Sequence, residues 1–461
     1  MEIELTDLSK YKHIHLIGIG GISMSAIAET LHNWNHTVTG SDASQSEITD
    51  KLNAHGIITT IGHDFINAKK ADLIIYSAAI QDTDPEMIIA KENNIPIVGR
   101  GQFVGYLTKL YKEAICISGT HGKTTTTSMI SICFVNAQKD PTIEVGAILD
   151  SIGGNYRVGN SEYFILESCE YKGNFLKFFP NTEVILNIDN DHLDYYKNFD
   201  NIVKTFQDFS LILEEDGLLV TNADDENCLH LKDIVKSKFI SYGIENQEAD
   251  FVAQNITFDA NGFANFDIYK NKEFYANIQL SVAGKHNILN ALACTAVCDY
   301  YGISKDIIKQ SLKEFTGAER RLEFKGKLNN TVSIFDDYAH HPTEIKATAN
   351  AIKNKKYNET WVVFQPHTYS RTKSLLNDFA ESIIGFDNII VLDIYAAREK
   401  NTFNISSEDL VEKINSLGKK ARYMPDFEEG VNFLKSNVKE NDIILTLGAG
   451  TVTEIGPMLL K

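Results

Sequence analysis

The chain has 461 residues, 43% hydrophobic and 23% charged, with a formal net charge of −18. At about 150 residues per domain that length calls for three cores, and the charge argues against a nucleic-acid or anionic-membrane surface. An anionic ligand would need local cationic pockets, so Lys and Arg beside glycine turns carry extra weight. No apolar run approaches the roughly 18 residues of a membrane span, and the acidic opening MEIELTDLSKYK lacks a signal-peptide pattern. The cysteines are scattered, with no zinc-type pair backed by a second pair, which predicts reduced, buried thiols in a cytoplasmic protein.

Residues 13–17 (HIHLI) read as a strand entering GIGGISMSAIAETLHNW, a glycine turn that opens a helix. Gly18, Gly20 and Gly21 follow a dinucleotide-binding fingerprint, with Ser23 in the place of its third glycine. A second strand, HTVTG, ends in Ser41 and Asp42, about 20 residues after the turn, where an acidic residue would meet a ribose hydroxyl. Two more strand–helix alternations, ADLIIYSAAI with 84–94 and IPIVG with 102–112, complete a Rossmann-like unit. On pyrophosphate chemistry alone, NAD and other nucleotide diphosphates fit such a turn equally well.

The run AICIS at 114–118 has the composition of a buried strand and leads into GTHGKTT: Gly119, Thr120, His121, Gly122, Lys123, Thr124 and Thr125. A helix is predicted over 124–135. A strand, a glycine turn and a helix start form a phosphate cradle, because backbone N–H groups and the positive end of the helix dipole face the anion. Lys123 can reach a β/γ-phosphate and the Thr124 hydroxyl can ligate Mg²⁺. Ile117 stands where the usual spacing has a glycine, so the loop is a shortened variant of an ATP site.

Further on, the strand EYFILE ends at Glu167, with Glu170 close behind, and EVILNI runs into Asp189-Asn190-Asp191-His192-Leu193-Asp194. Carboxylates and a histidine at strand ends beside an ATP loop supply what Mg²⁺ needs. Period-two alternation over 249–280 predicts a small antiparallel hairpin set. His286, Asn287 and Asn290 then fall within one turn of a predicted helix, placed either to cap it or to meet an adenine edge. The stretch 315–323 reads as a linker whose Arg320 and Arg321 could clamp phosphate on domain closure. Beyond it, four strands end in polar or glycine-rich loops: DDYAHHPTE with Asp337, QPHTYSRTK with His367 and Arg371, a segment with Tyr395 and Arg398, and LGAG. That pattern is a second doubly wound sheet, with ligands expected beyond its strand ends. His340-His341 has no third metal partner at suitable spacing.

Together these strings resemble the Mur ligase family of ATP-dependent amide-forming enzymes. GIGGISMSAIAE with GSD is similar to its UDP-binding domain. GTHGKTTTT, ESCEYKGNFL, NIDNDHLDYY and GKHNILNALA are similar to its ATPase domain, and RRLEF, DDYAHHPTE and FQPHTYSRTK to the domain that takes ADP and the amino acid. Residues 166–172 (LESCEYK) depart from the AEADESD pattern common in such enzymes, although both glutamates survive. The resemblance implies an α/β protein of three domains. These are a Rossmann-like N-terminal domain at 1–112, a central P-loop ATPase domain with the hairpin set at 113–317, and a C-terminal Rossmann-like domain at 318–461. It implies ATP and Mg²⁺, and UDP-N-acetylmuramate and L-alanine as substrates joined through an acyl phosphate, in peptidoglycan precursor synthesis by a cytoplasmic monomer or weak homodimer.

By the same resemblance Lys123 contacts the γ-phosphate, Thr124 and Glu167 hold one Mg²⁺, and His192 ligates a second. His286, Asn287 and Asn290 meet the adenine, Asp337 the ribose and Arg321 the phosphates, while His367 and Arg371 serve the acyl-phosphate and alanine end. Gly18, Gly20, Gly21, Ser23, Ser41 and Asp42 line the UDP-sugar pocket. The alternative within the family is a recycling ligase that attaches a preformed tripeptide to the same sugar. A nicotinamide dehydrogenase would have no use for GTHGKTT, and a non-catalytic UDP-sugar sensor would have none for an intact Lys123 and Thr124.

Overall fold

Short apolar strands alternating with helices must cover both faces of each sheet they build, and this chain does so three times. A computed structural model describes residues 3–353, 355–397 and 399–461, without the side chains of Leu193 and Asp194. Arg398 therefore lies outside the described residues. No described helix is long and apolar enough to cross a membrane.

The first sheet is five-stranded and parallel, in the order Ile58–Ile61, Thr37–Asp42, His13–Ile17, Leu73–Tyr76, Ile97–Gly99. The order of strand addition reverses beside the central strand His13–Ile17, so the glycine turn after it sits at the topological switch point. The edge strand Ile58–Ile61 escapes the sequence reading because it is short and faces solvent on both ends, with Ile58 and Ile61 about half exposed.

The second sheet has ten strands. Its parallel centre is Lys238–Gly243, Leu218–Asn222, Thr182–Ile185, Glu113–Ser118, Tyr163–Glu167 and Thr142–Leu149. The hairpin set does not stand apart as a separate subdomain. Tyr242 and Gly243 pair in parallel with Phe251 and Val252, so Phe251–Phe258, Phe263–Lys270 and Glu273–Ala283 extend the same sheet as an antiparallel wing. Alternate residues of Glu113–Ser118 serve opposite faces. Ile115 and Ile117 pack under the helices Lys123–Asn136 and His286–Tyr300, whereas Cys116 joins a cluster shared with Leu16, Phe103 and Leu107 of the first sheet's layer. The first two sheets are thus held by one continuous apolar core.

The third sheet has six strands: Glu323–Leu328, Val332–Asp337, Ile443–Leu447, Thr360–Phe364, Asn388–Val391 and Ala421–Tyr423. All are parallel except Glu323–Leu328, which pairs antiparallel at the edge. Two of these were not expected. Residues 315–322 are the connecting loop that the sequence suggests, and the unexpected edge strand begins at Glu323, where that stretch ends, by pairing with Val332–Asp337; Ala421–Tyr423 is only three residues long. Val362 and Phe364 face one helical layer and Trp361 and Val363 the other, the two-sided burial of a doubly wound sheet.

Candidate active site

The phosphate loop leaves strand Glu113–Ser118 and re-enters helix Lys123–Asn136 through Gly119 and Gly122, whose φ values are +128° and +87°. Only glycine adopts such backbone readily. A Cβ on Gly122 would also come within 2.7 Å of Asn290 Oδ1, so the loop packs directly on the helix His286–Tyr300. The loop is braced from below: His121 N–H donates to Asn187 Oδ1 at 2.8 Å, and Asp189 N–H donates to Thr120 Oγ1 at 2.9 Å. What remains is a fourteen-residue helix with its positive end open toward a cavity, a natural anion seat.

Lys123 Nζ folds back over this loop, donating to the Gly119 and Thr120 carbonyls and lying 3.0 Å from Glu170 Oε2. Burial disfavours its charge, but Glu170 leads a group of acids that hold its pKa above the ordinary lysine value. Glu170 is 3% exposed, and His192 Nε2 lies 3.6 Å from its other oxygen. His192 takes a φ of +55° and packs its ring on Tyr171 at 4.7 Å. Glu167 accepts Gly146 N–H at 2.6 Å, and burial pushes its carboxyl above the usual range despite nearby Arg321 and Lys123. Glu167 at the strand end, the Thr124 hydroxyl, and Glu170 with His192 are hard donors beside the loop that could hold a divalent cation.

Between the second and third sheets lies a cavity of about 550 Å³. Its central-domain wall carries His121, Gly122, Thr125, His286, Asn287 and Asn290; its C-terminal wall carries Arg321, Asp337 and Glu344. Asn290 donates to Asn287 Oδ1 at 3.0 Å, and Asn287 donates to the Ala283 carbonyl at 2.7 Å, which fixes both amides. Arg321 reaches across to donate to Thr124 Oγ1 at 3.3 Å. Asp337 accepts the backbone N–H groups of Leu322 and Ala339, and burial pushes its carboxyl up to about 6. A groove with amides at one end, a carboxylate at the other and a helix N-terminus between has the polar layout of a nucleotide site.

His121 closes the seam beside that cavity. Its Nε2 lies 2.9 Å from Asp189 Oδ2 and its Nδ1 3.5 Å from Glu344 Oε1, while Thr343 donates to the same Asp189 oxygen at 2.6 Å. Burial opposes protonation, yet the two carboxylates override it and raise the imidazole to about 9. His341 completes the group: its ring is 5.0 Å from that of His121, and its Nε2 lies 3.1 Å from the Asn190 carbonyl oxygen. Folding therefore supplies His341 with two neighbours, His121 and Asp189, that no sequence spacing could reveal.

A second cavity, about 720 Å³, opens on the other side of the same seam and is lined by Tyr171, Asp191, His192, His367, Arg371 and Phe403 among others. Arg371 Nη2 and Nε lie 3.1 and 3.3 Å from Asp191 Oδ1. This ion pair, 12% and 10% exposed, crosses between domains and holds the Asp191 carboxyl well below its usual range against the effect of burial. His367 lies 3.4 Å from Arg371 Nη1, and burial lowers its pKa to about 4, so its ring is neutral near pH 7. Ser370 is held by Glu399 through its backbone N–H at 2.9 Å.

The glycine turn of the first sheet is built differently from expectation in one respect. Gly20 N–H donates to Asp42 Oδ2 at 2.9 Å, and Gly18 N–H donates to the Ser41 carbonyl at 2.8 Å. Ser41 itself is 1% exposed, with its hydroxyl donated to buried Glu86 at 2.6 Å, so its side chain is not presented to a ligand. Strand alternation turns Ser41 into the layer beneath and leaves Asp42 at the rim. Gly21 caps the following helix Ile22–Asn33, and Ser23 donates to Glu144 of the central domain while accepting from Arg100 Nη1 at 3.0 Å. Glu144, Arg100 and Glu344 were given no role from the sequence, since each gains it from a partner in another sheet, while Asp189 and Asp191, read there as Mg²⁺ donors, are engaged by His121 and Arg371.

Comparison with known proteins bears on all three parts. Residues 13–112 match the Mur ligase family catalytic domain, 117–298 the Mur ligase middle domain, and 320–450 the Mur ligase glutamate ligase domain. A UDP-N-acetylmuramate–L-alanine ligase of Acetivibrio thermocellus is 47% identical over 100% of this chain and 98% of its own. One from Clostridium acetobutylicum is 49% identical over 98% of each. Among solved structures, a UDP-N-acetylmuramate–alanine ligase of Thermotoga maritima superposes with a TM-score of 0.82 at 30% identity, covering 98% of both chains.

Proposed function

The chain belongs to the Mur ligase family, and from that premise we propose that it joins L-alanine to the lactyl carboxylate of UDP-N-acetylmuramate while ATP is converted to ADP and phosphate. The observation that carries this reading is the cavity between Gly122, Asn290, Arg321 and Asp337, where a phosphate loop on one domain faces an arginine and an acid on another. Domain limits at 112/113 and 317/318 belong to the same reading; the three separate sheets support them.

A free carboxylate is a poor acyl donor because its leaving group would be oxide. In the reaction assigned here, a carboxylate oxygen attacks the γ-phosphorus of ATP, the bond to the β-phosphate oxygen breaks, and ADP leaves. The alanine nitrogen, having lost a proton, then adds to the acyl carbon of the resulting acyl phosphate. Collapse expels phosphate and leaves the amide. Little of this asks for covalent help from the protein, so catalysis rests on positioning and charge neutralisation.

Lys123, already protonated and poised over the loop, is assigned to the terminal phosphate, and Arg321 to the phosphates from the opposite wall. Asn287, Asn290 and His286 are assigned to the base, Asp337 to the ribose. Thr124 and Glu167 would hold one Mg²⁺ and His192 a second. Bound there, the metal would neutralise phosphate charge and orient the transferred group. Asp191 sets the plane of the Arg371 guanidinium at the second cavity, where the carboxylate of L-alanine is the matching anion. His367 shapes the same wall. The UDP-sugar is assigned to the rim formed by Gly18, Gly20, Gly21, Ser23 and Asp42, with a cytoplasmic location following from its substrates. Because groups from two domains must meet one nucleotide, closure accompanies catalysis.

The deciding assay is phosphate release with ATP, Mg²⁺, UDP-N-acetylmuramate and each candidate amino acid in turn. Turnover with L-alanine is expected. Turnover only with a preformed tripeptide would overturn the alanine assignment, and phosphate release without any sugar would overturn the reaction.

A further inference from the structure

Three thiols converge in the core of the central domain, where the proposed mechanism uses none of them. Cys133 comes from helix Lys123–Asn136, and Cys294 and Cys298 come one turn apart from helix His286–Tyr300. The Sγ atoms of Cys133 and Cys294 are 3.6 Å apart and those of Cys294 and Cys298 are 3.8 Å apart. All three sulfurs lie within 4.8 Å of one another, and all three residues are 0% exposed. The surroundings are mostly apolar, formed by neighbours such as Met129, Ile130, Ala291 and Val297, with the buried Ser311 hydroxyl beside Cys133.

We infer that Cys133, Cys294 and Cys298 form a three-coordinate site for a monovalent thiophilic ion, Cu(I). A trigonal arrangement with metal–sulfur bonds of about 2.3 Å places its sulfurs about 4.0 Å apart. The separations of 3.6 and 3.8 Å need only a few tenths of an ångström of adjustment, and the third, between Cys133 and Cys298, is no more than 4.8 Å. Thiolates select soft ions, which favours Cu(I) over harder cations. Structural zinc closes its shell with four protein ligands, and among the described residues no further His, Cys, Asp or Glu joins this group. Each sulfur that binds the ion gives up its proton to the buffer, so occupancy rises with pH. The two helices that carry the sulfurs are the ones that begin at the phosphate loop and at His286, so the ion would tie together two walls of the nucleotide cavity.

The test is an anaerobic titration of the reduced full-length protein with Cu(I) against a chromophoric Cu(I) chelator. One ion per chain should be withdrawn from the chelator, and X-ray absorption of the loaded protein should show three sulfur neighbours at about 2.3 Å. Cys298→Ala and Cys133→Ala should each weaken retention by about tenfold or more, whereas Cys169→Ser, at an exposed thiol, should not. A protein that retains no copper, or whose retention is indifferent to Cys298→Ala, would reduce the trio to small apolar packing and end the proposal. Should both alanine variants fail to fold, the absorption spectrum of the unaltered protein decides alone, and fewer than three sulfur neighbours refutes the site.

Discussion

Replacing Lys123 by alanine removes two things that the structure allows to be separated. The first is the cation assigned to the transferring phosphoryl group. Loss of one preorganised charge contact of that kind costs about 3 kcal/mol of transition-state stabilisation, or roughly 10²–10³ in turnover. The second is the partner of Glu170. With 3% of that residue exposed and Lys123 Nζ 3.0 Å away, the deletion leaves a buried carboxylate without its ammonium partner, facing His192 at 3.6 Å. An orphaned buried charge of this sort costs about 3 kcal/mol of stability. Adding Glu170→Gln to Lys123→Ala should therefore restore much of the lost thermal midpoint without restoring turnover. Affinity for UDP-N-acetylmuramate, measured by calorimetry, should stay within about twofold of the parent in both variants, because the sugar is assigned to another sheet. Phosphate release and differential scanning give the two readouts on one preparation. If turnover recovers along with stability in the double variant, Lys123 is a structural residue and its assignment to the phosphate is wrong.

Other consequences are equally direct. His121 has a folded pKa of about 9 against an ordinary 6.5, so its contribution is whole below pH 6.5 and fades as pH climbs through 9. Denaturant midpoints should accordingly fall over that window by an amount corresponding to at most roughly 3 kcal/mol, and His121→Gln should flatten the profile. Gly122→Ala forces a side chain into a φ of +87° and against Asn290; a stability loss of about 1–3 kcal/mol is expected by thermal melting, with weaker ATP binding. Arg371→Lys keeps the charge but lacks the planar fork of N–H groups that Asp191 orients, and should raise the KM for L-alanine more than tenfold, about 1.4 kcal/mol, in initial-rate assays. Chelation of divalent cations should abolish phosphate release and Mg²⁺ should restore it. Glu167→Gln should raise the Mg²⁺ concentration for half-activity by about tenfold or more, and an unchanged requirement would remove Glu167 from the metal.

What was legible in the sequence is what a few neighbouring residues decide among themselves. GTHGKTT declares its turn because Gly119 and Gly122 need left-handed backbone and Lys123 starts a helix at once; HIHLI before GIGG declares a strand feeding a glycine turn for the same local reason. Alternation over 249–280 announces the antiparallel strands found at 251–283, and polar runs after apolar strands announce the sheet ends where ligands collect. Three things were decided only by folding. The antiparallel wing joins the central sheet because Gly243 and Val252 come into register, a pairing that no local pattern encodes. Ser41 is withdrawn from any ligand because Glu86, 45 positions along the chain, meets its hydroxyl in the layer beneath the sheet. Above all, the seam that unites Thr124 with Arg321, His121 with Glu344, and Asp191 with Arg371 joins residues more than 170 positions apart. Side chains so distant meet only after each sheet has buried its own faces, so the sequence could name the two halves of the site while tertiary packing alone set the space between them.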